Sequence, residues 1–116
     1  MAVSFTLVRK IALALPGVEE RLCHDTPAFY VRKKIFSRLQ EDGETLAVAY
    51  PKASRDELIE RWPDLFSVTD HFQNYDYVLI SLHAANEAVM RERLAGAWRM
   101  RAAKKAVAEY DAAGRT

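Results

Sequence analysis

The stretch that most constrains the fold runs from Pro27 to Tyr50 and reads PAFYVRKKIFSRLQEDGETLAVAY. It predicts three short strands, because three segments are rich in aromatic and β-branched residues and alternate in side-chain character with a period of two. These segments are Ala28–Arg32, Ile35–Leu39 and Thr45–Tyr50. Paired lysines join the first two, and a turn containing Gly43, which is free to take positive φ, joins the second and third. An antiparallel meander follows from this pattern.

The residues before the meander predict one helix and one edge strand. Apolar side chains spaced at helical intervals lie between Val8 and Leu15, with Ser4 or Thr6 as the N-cap and Pro16-Gly17 as the end. The segment Val18–Cys23 alternates weakly, so we expect an irregular edge strand, and His24–Pro27 is expected to be a loop.

After the meander, Ser54 and Glu57 match a capping box and predict a short helix that runs through Arg61. Two further strands are expected around a turn at residues 70–74, namely Leu65–Thr69 and Tyr75–Leu82. Asn86 can cap the next helix. We expect Gly96 to break or kink that helix before a last one, from Trp98 to about Asp111.

These elements predict an α+β fold, a two-layer sandwich in which helices pack on one face of an antiparallel sheet. The length of 116 residues, without repeat or linker, fits a single domain over 1–116. One cysteine, Cys23, excludes an intramolecular disulfide and suits a reducing cytoplasm. Arg9 and Lys10 interrupt the N-terminal apolar run, so we expect no signal peptide and no membrane segment. We therefore expect a cytoplasmic monomer.

Sequence motifs for catalysis and for metal binding are missing. Four glycines allow no phosphate-binding glycine-rich loop, and no cysteine pair has zinc-site spacing. His24, His71 and His83 are scattered over predicted loops or strand ends, and nothing in their spacing requires them to converge, so we expect surface or structural roles for them. The sequence thus predicts no catalytic residue, no metal site, no cofactor and no enzyme activity.

The basic residues are the feature that favours a class of ligand. The net charge is only +1, but it is divided unevenly, with +4 over residues 1–40, −6 over 41–76 and +3 over 77–116. A hairpin tip with two lysines and a basic helix face can both contact phosphates. From charge alone, an ordinary solvated surface is the favoured interpretation, because the pI of about 7.9 is below the strongly basic values typical of nucleic-acid binders. The candidate nucleic-acid-binding residues are Arg32, Lys33, Lys34, Arg38, Arg99, Arg101, Lys104 and Lys105.

Four segments of the chain carry a resemblance to a known family. They are ALPGVEE at 14–20, PAFYVRKKIFSRL at 27–39, DHFQNYDYVLISL at 70–82 and AWRMRAAKK at 97–105. Together they resemble the MmcQ/YjbR family of small bacterial proteins. The resemblance implies a two-layer domain likened to frataxin-like and double-wing DNA-binding folds, and by that analogy DNA binding. It implies neither an enzyme nor a cofactor.

Most positions that match this family are turn or core residues. Only Lys34 and His71 among them are of a functional type. Where a glycine often precedes the lysine of the family's hairpin, this chain has Lys33, which argues against a tight turn with positive φ. The remaining matches are Leu15, Pro16, Gly17, Pro27, Phe29, Phe36, Ala97 and Trp98.

Three functions stay open at this point. The first is a DNA-binding module, for which the hairpin residues Arg32–Lys34 and Arg38 should lie on the same side as Arg101, Lys104 and Lys105. The second is a protein-interaction adaptor with an exposed apolar patch. The third is a small-ligand binder or enzyme built around Asp70, His71 and nearby aromatic rings.

Overall fold

The computed structural model describes residues 2–114, which form four helices, six strands and one short 3₁₀ turn. The helices are α1 (Phe5–Leu13), α2 (Lys52–Arg61), α3 (Glu87–Arg101) and α4 (Lys104–Ala113). The strands are β1 (Glu19–Cys23), β2 (Thr26–Val31), β3 (Lys34–Leu39), β4 (Thr45–Ala49), β5 (Phe66–Ser67) and β6 (Tyr77–Ser81). The 3₁₀ turn, Asp70–Phe72, lies between β5 and β6. The predicted α+β class is confirmed.

All six strands form one antiparallel sheet in the order β1-β2-β3-β4-β6-β5. The meander predicted from the alternating segments is confirmed, and β1 (Glu19–Cys23) is the edge strand expected within Val18–Cys23. A register shift between Phe29 and Tyr30 accommodates one extra residue of β3. The first three strands are joined by two-residue turns at His24-Asp25 and Arg32-Lys33, so Thr26 and Pro27 belong to β2 and not to the expected loop.

One apolar core joins the helices to one face of the sheet. Its largest members are fully buried, and they come from β2, β3, β4, β6 and α3: Phe29, Phe36, Leu46, Ile80, Met90, Leu94 and Trp98. The indole N–H of Trp98 donates to the carbonyl of Pro16 at 2.9 Å, which ties α3 to the end of the α1 segment. Burial of apolar area at about 25 cal/mol per Å² makes this layer contact the main source of stability.

Two predicted helix N-caps are confirmed, and one is wrong. The side chains of Ser4 and Asn86 accept hydrogen bonds from the amides of Leu7 and Val89. Ser54 is not the N-cap of α2, because the helix begins two residues before it, at Lys52. The carboxylate of Asp76, next to β6, accepts the Lys52 amide at 2.8 Å and takes the place of a local cap.

The expected break at Gly96 is also wrong. Helix α3 runs without interruption through Gly96 and Trp98 to Arg101, and the chain leaves helical geometry at Ala102 and Ala103. Neither residue is a common helix terminator. Ala102 is buried, so the packing of this corner against the core accounts for the position of the break.

The segment between β5 and β6 is held by a buried arginine. Arg55 of α2 is 1% exposed and donates from Nη1 and Nη2 to the carbonyls of Phe72, Gln73, Tyr75 and Tyr77, at 2.7–3.1 Å. Four backbone acceptors around one guanidinium fix the course of residues 72–77. The predicted strands 65–69 and 75–82 are accordingly shorter, and a 3₁₀ turn occupies part of the expected loop.

Candidate nucleic-acid interface

The β2–β3 hairpin ends in a tight turn formed by two basic residues. Arg32 and Lys33 have φ values of +55° and +64°, the combination of a type I′ turn, for which asparagine and glycine are preferred. The sequence argument that Lys33 disfavours such a turn is therefore wrong. An L-residue in this conformation costs about 1–2 kcal/mol. The flanking paired strands impose it, because the register leaves only two residues for the connection.

This hairpin tip contacts the end of α3 through two arginines. Arg32 Nη1 donates to the carbonyl of Arg101 at 3.3 Å, and Arg101 Nε donates to the carbonyl of Ile35 at 3.3 Å. The Arg101 guanidinium also lies over the ring of Tyr77, 5.9 Å from its centroid. The two bonds run in opposite directions between the same two elements, so they fix the hairpin against the α3–α4 corner.

The corner brings two basic segments, far apart in sequence, next to each other. Lys104 and Lys105 follow Arg101 after only Ala102 and Ala103, as the first residues of α4, and they are exposed, as are Arg32, Lys33 and Lys34. Across the described residues 2–114, none of these four lysines forms an ion pair. We call the set of Arg32, Lys33, Lys34, Arg101, Lys104 and Lys105 the basic surface.

Two predicted members lie outside the basic surface. Arg38 is near the other end of β3, roughly 13 Å along the strand from Lys34 at about 3.3 Å per residue. Its guanidinium donates to the carbonyl of Cys23 and to the Glu41 carboxylate, and its side chain is only 13% exposed. The structure does not bring Arg38 together with the hairpin tip and the start of α4, because its side chain anchors the β1–β2 turn.

Arg99 is also directed elsewhere. It pairs with Asp111 at 2.6 Å and lies over the ring of Tyr110, so its charge is used to hold α4 against α3. Tyr110 in turn packs against Trp98, with 5.1 Å between ring centroids. Arg99 thus positions α4, and with it Lys104 and Lys105, without contributing a free charge.

The histidines are less dispersed than the sequence suggested. His24 of the β1–β2 turn and His71 of the 3₁₀ turn line one cleft of 380 Å³, although nothing in their spacing along the sequence required them to meet. The remaining lining comes from the end of β3 with the residues after it, and from the β5–β6 segment. These side chains are Arg38, Gln40, Glu41, Thr69 and Phe72, and we call the site the polar cleft. Asp70, the other candidate for this region, is not part of its lining, and His83 pairs with Glu44 elsewhere.

An apolar groove of 220 Å³ lies between α2, β5 and α3. It is lined by Leu58, Trp62, Phe66 and Val89, with the charged pair Glu92 and Arg93 at its side. Trp62 is 48% exposed there, unlike Trp98, which is fully buried in the core. This groove is the surface on which an adaptor function would depend.

Within residues 2–114, no three His, Cys, Asp or Glu side chains are grouped in a way that could hold a metal ion. Over the same residues, no helix combines the length and apolar character needed to span a membrane.

Comparison with known proteins identifies the family. The family model described as YjbR matches residues 13–100, which include β1 to β6, α2 and nearly all of α3. This protein belongs to the YjbR family. The match contains the β2–β3 hairpin and ends at Met100, so Lys104 and Lys105 lie beyond it.

A solved structure with the same fold is that of the Deinococcus radiodurans protein DR2400, described with a domain of the family model DUF419. The two chains superpose with a TM-score of 0.72 at 18% identity, over 84% of this chain and 77% of the other. At this identity the likeness shows the shared fold alone. No match was found among the curated proteins.

Proposed function

We propose that this YjbR-family protein binds duplex DNA through the basic surface, as a monomer in a reducing cytoplasm. The observation that carries the proposal is the pair of opposed hydrogen bonds between Arg32, Arg101 and Ile35. Without this contact, the two basic segments would be independent solvated groups. With it, the hairpin lysines and the α4 lysines are presented together, so one phosphate backbone can neutralise both sets.

The start of α4 adds support. Its N-cap is Ala103, whose side chain cannot accept from the free amides of the first turn, and that turn contains no acidic residue. Lys104 and Lys105 stand at the positive end of the helix dipole, where cations are disfavoured by about 0.3–1 kcal/mol. A bound phosphate would satisfy free amides and offset both lysine charges.

Recognition of this kind is expected to depend on the backbone and to be largely independent of sequence. Four of the six basic side chains are lysines, which act as point charges toward phosphates and lack the bidentate geometry used to identify guanine. The net charge of +1 gives no strong overall attraction. Binding should therefore depend on the local surface and not on the charge of the whole molecule.

Fluorescence anisotropy with a labelled duplex of about 20 base pairs, roughly two helical turns, tests the proposal. About four to five phosphate contacts predict a slope of about −4 for log affinity against log salt. Affinity should then fall by roughly 250-fold between about 50 and 200 mM salt.

Two double variants each test one half of the basic surface. Lys33→Ala with Lys34→Ala removes the hairpin lysines, and Lys104→Ala with Lys105→Ala removes the α4 lysines. Each should flatten the slope by about 1.8, because each lost phosphate contact removes about 0.9. The matched control combines Arg61→Ala and Arg91→Ala, which removes the same charge from exposed positions on α2 and α3 and should leave the slope unchanged. No binding at low salt, or an equal effect of the control, would contradict the proposal. The adaptor function would then be the remaining prediction.

A further inference from the structure

We propose that the polar cleft is a second, independent binding site, and that its ligand is a small carboxylic acid with a planar ring. The cleft has the size of a small-molecule site, at 380 Å³. It is separated from the basic surface by most of the length of β3, since Lys34 begins that strand and Arg38 lies near its end. The inference does not depend on DNA binding.

One wall of the polar cleft is organised by Arg38. Its Nε donates to the Cys23 carbonyl at 3.0 Å, and its Nη2 donates to the Glu41 carboxylate at 2.8 Å. Its Nη1 makes no hydrogen bond within residues 2–114. Nε and Nη2 therefore hold the guanidinium in place, while Nη1 can donate to a ligand.

A second wall of the polar cleft comes from residues 69–72. Thr69 and His71 lie just before Phe72, whose carbonyl is one of the four that Arg55 binds. His71 meets Phe72 edge to face, with 4.8 Å between ring centroids, and this pair forms an aromatic surface. Both walls thus exist before a ligand arrives, which reduces the entropy lost on binding.

The lining groups favour an acceptor-rich, planar ligand. Within residues 2–114, Arg38 Nη1 and the Thr69 hydroxyl donate no hydrogen bond, and the ring nitrogens of His24 and His71 can also donate. The carboxylate in the cleft, Glu41, is already paired, and its hydrogen bond to Arg38 lowers the pKa of Glu41 below its usual value. A cationic ligand would have to compete with Arg38, whereas a carboxylate can use the free donors. The aromatic surface suits a flat ring.

Titration of the ¹⁵N-labelled protein with benzoate, followed by NMR, tests this inference. Benzoate has few atoms, so a dissociation constant on the order of 1 mM is expected. The largest shifts should occur at the amides of His24, Glu41 and residues 69–72. Benzamide has the same shape without the charge and should bind about tenfold more weakly. Equal binding of the two probes, or shifts confined to the basic surface, would overturn the inference.

Variants localise the site. Arg38→Met should abolish benzoate binding, but it also removes the anchor of the β1–β2 turn and could unfold the protein. Thr69→Val and Phe72→Leu change the other wall, and each should weaken benzoate binding several-fold with a preserved NMR spectrum elsewhere. The double variant Lys33→Ala with Lys34→Ala should leave benzoate binding unchanged, which separates this site from the DNA-binding surface. Unchanged affinity in both Thr69→Val and Phe72→Leu would overturn the assignment.

Discussion

Replacing Lys33 by glycine should stabilise the protein and weaken its binding to DNA at the same time. Lys33 has φ of +64° at the second position of the hairpin turn, a conformation that glycine adopts without strain. Its side chain forms no hydrogen bond or ion pair within the described chain, so the fold loses no contact of that kind in Lys33→Gly.

The magnitude follows from two opposing terms. Release of the left-handed conformation is worth about 1–2 kcal/mol. The greater freedom of glycine in the unfolded chain costs about 0.4–1 kcal/mol. A net gain in stability of about 0.5–1 kcal/mol corresponds to a rise in Tm of roughly 2–4 °C for a domain of this size. DNA binding loses one phosphate contact, so the salt slope should flatten by about 0.9.

The chain supplies a matched control in its other tight turn. Asp25 has φ of +67° at the corresponding position of the β1–β2 turn, and no hydrogen bond or ion pair of its side chain is found within residues 2–114. Asp25→Gly should raise Tm by a smaller amount, because aspartate adopts positive φ more readily than lysine, and should leave the salt slope unchanged. Thermal unfolding and anisotropy titrations on both variants complete the comparison.

Two results would refute this reasoning. A lower Tm for Lys33→Gly would mean that the turn is not strained, or that the lysine side chain stabilises the fold in a way that its contacts do not reveal. An equal loss of DNA affinity in Lys33→Gly and Asp25→Gly would mean that binding does not depend on the basic surface.

Three further predictions concern stability. Arg55→Met should cost about 3 kcal/mol or more in urea unfolding, because the carbonyls of residues 72–77 lose their shared donor; a cost below about 1 kcal/mol would contradict this. The Glu44 amide and the Thr45 hydroxyl donate hydrogen bonds to the Asp42 carboxylate and lower its pKa. The folding stability that the ionised carboxylate contributes is therefore present above the unfolded pKa near 3.9, and it is lost as pH falls through the lower folded pKa. Asp42→Asn should therefore lose less stability than wild type on acidification from about pH 5 to 2; an unchanged acid profile would contradict it. Ala103→Ser should supply the missing N-cap of α4 and add about 1 kcal/mol by urea unfolding, whereas no gain would mean that the first-turn amides already have partners.

The parts of the fold that sequence predicted are those set by local periodicity. Alternating residues identified the meander, and Ser4 and Asn86 marked two helix starts, because strand faces and N-caps depend on neighbours a few residues away. The basic residues of the hairpin and of the C-terminal helices were also visible as a charge pattern.

The parts that sequence missed depend on contacts between distant residues. Arg55 looks like any exposed arginine on a polar helix, and only the path of the β5–β6 segment buries it. The cap of α2 comes from Asp76, 24 residues away, so Ser54 was a plausible but incorrect choice. The break at Ala102 has no glycine or proline to mark it. The separation of Arg38 from the basic surface follows from its bonds to the β1–β2 turn, which no local pattern reveals.

The most direct test of the central claim is an NMR titration of the ¹⁵N-labelled protein with an unlabelled duplex at low salt. If the hairpin tip and the start of α4 form one DNA-binding surface, the amides of residues 32–34 and 103–106 should shift together, at the same duplex concentrations. The amide signals of Asp25 and Asp42, which lie in turns at the end of β3 away from the hairpin tip, should not shift. Shifts in only one of the two basic segments, or shifts centred elsewhere, would contradict the account.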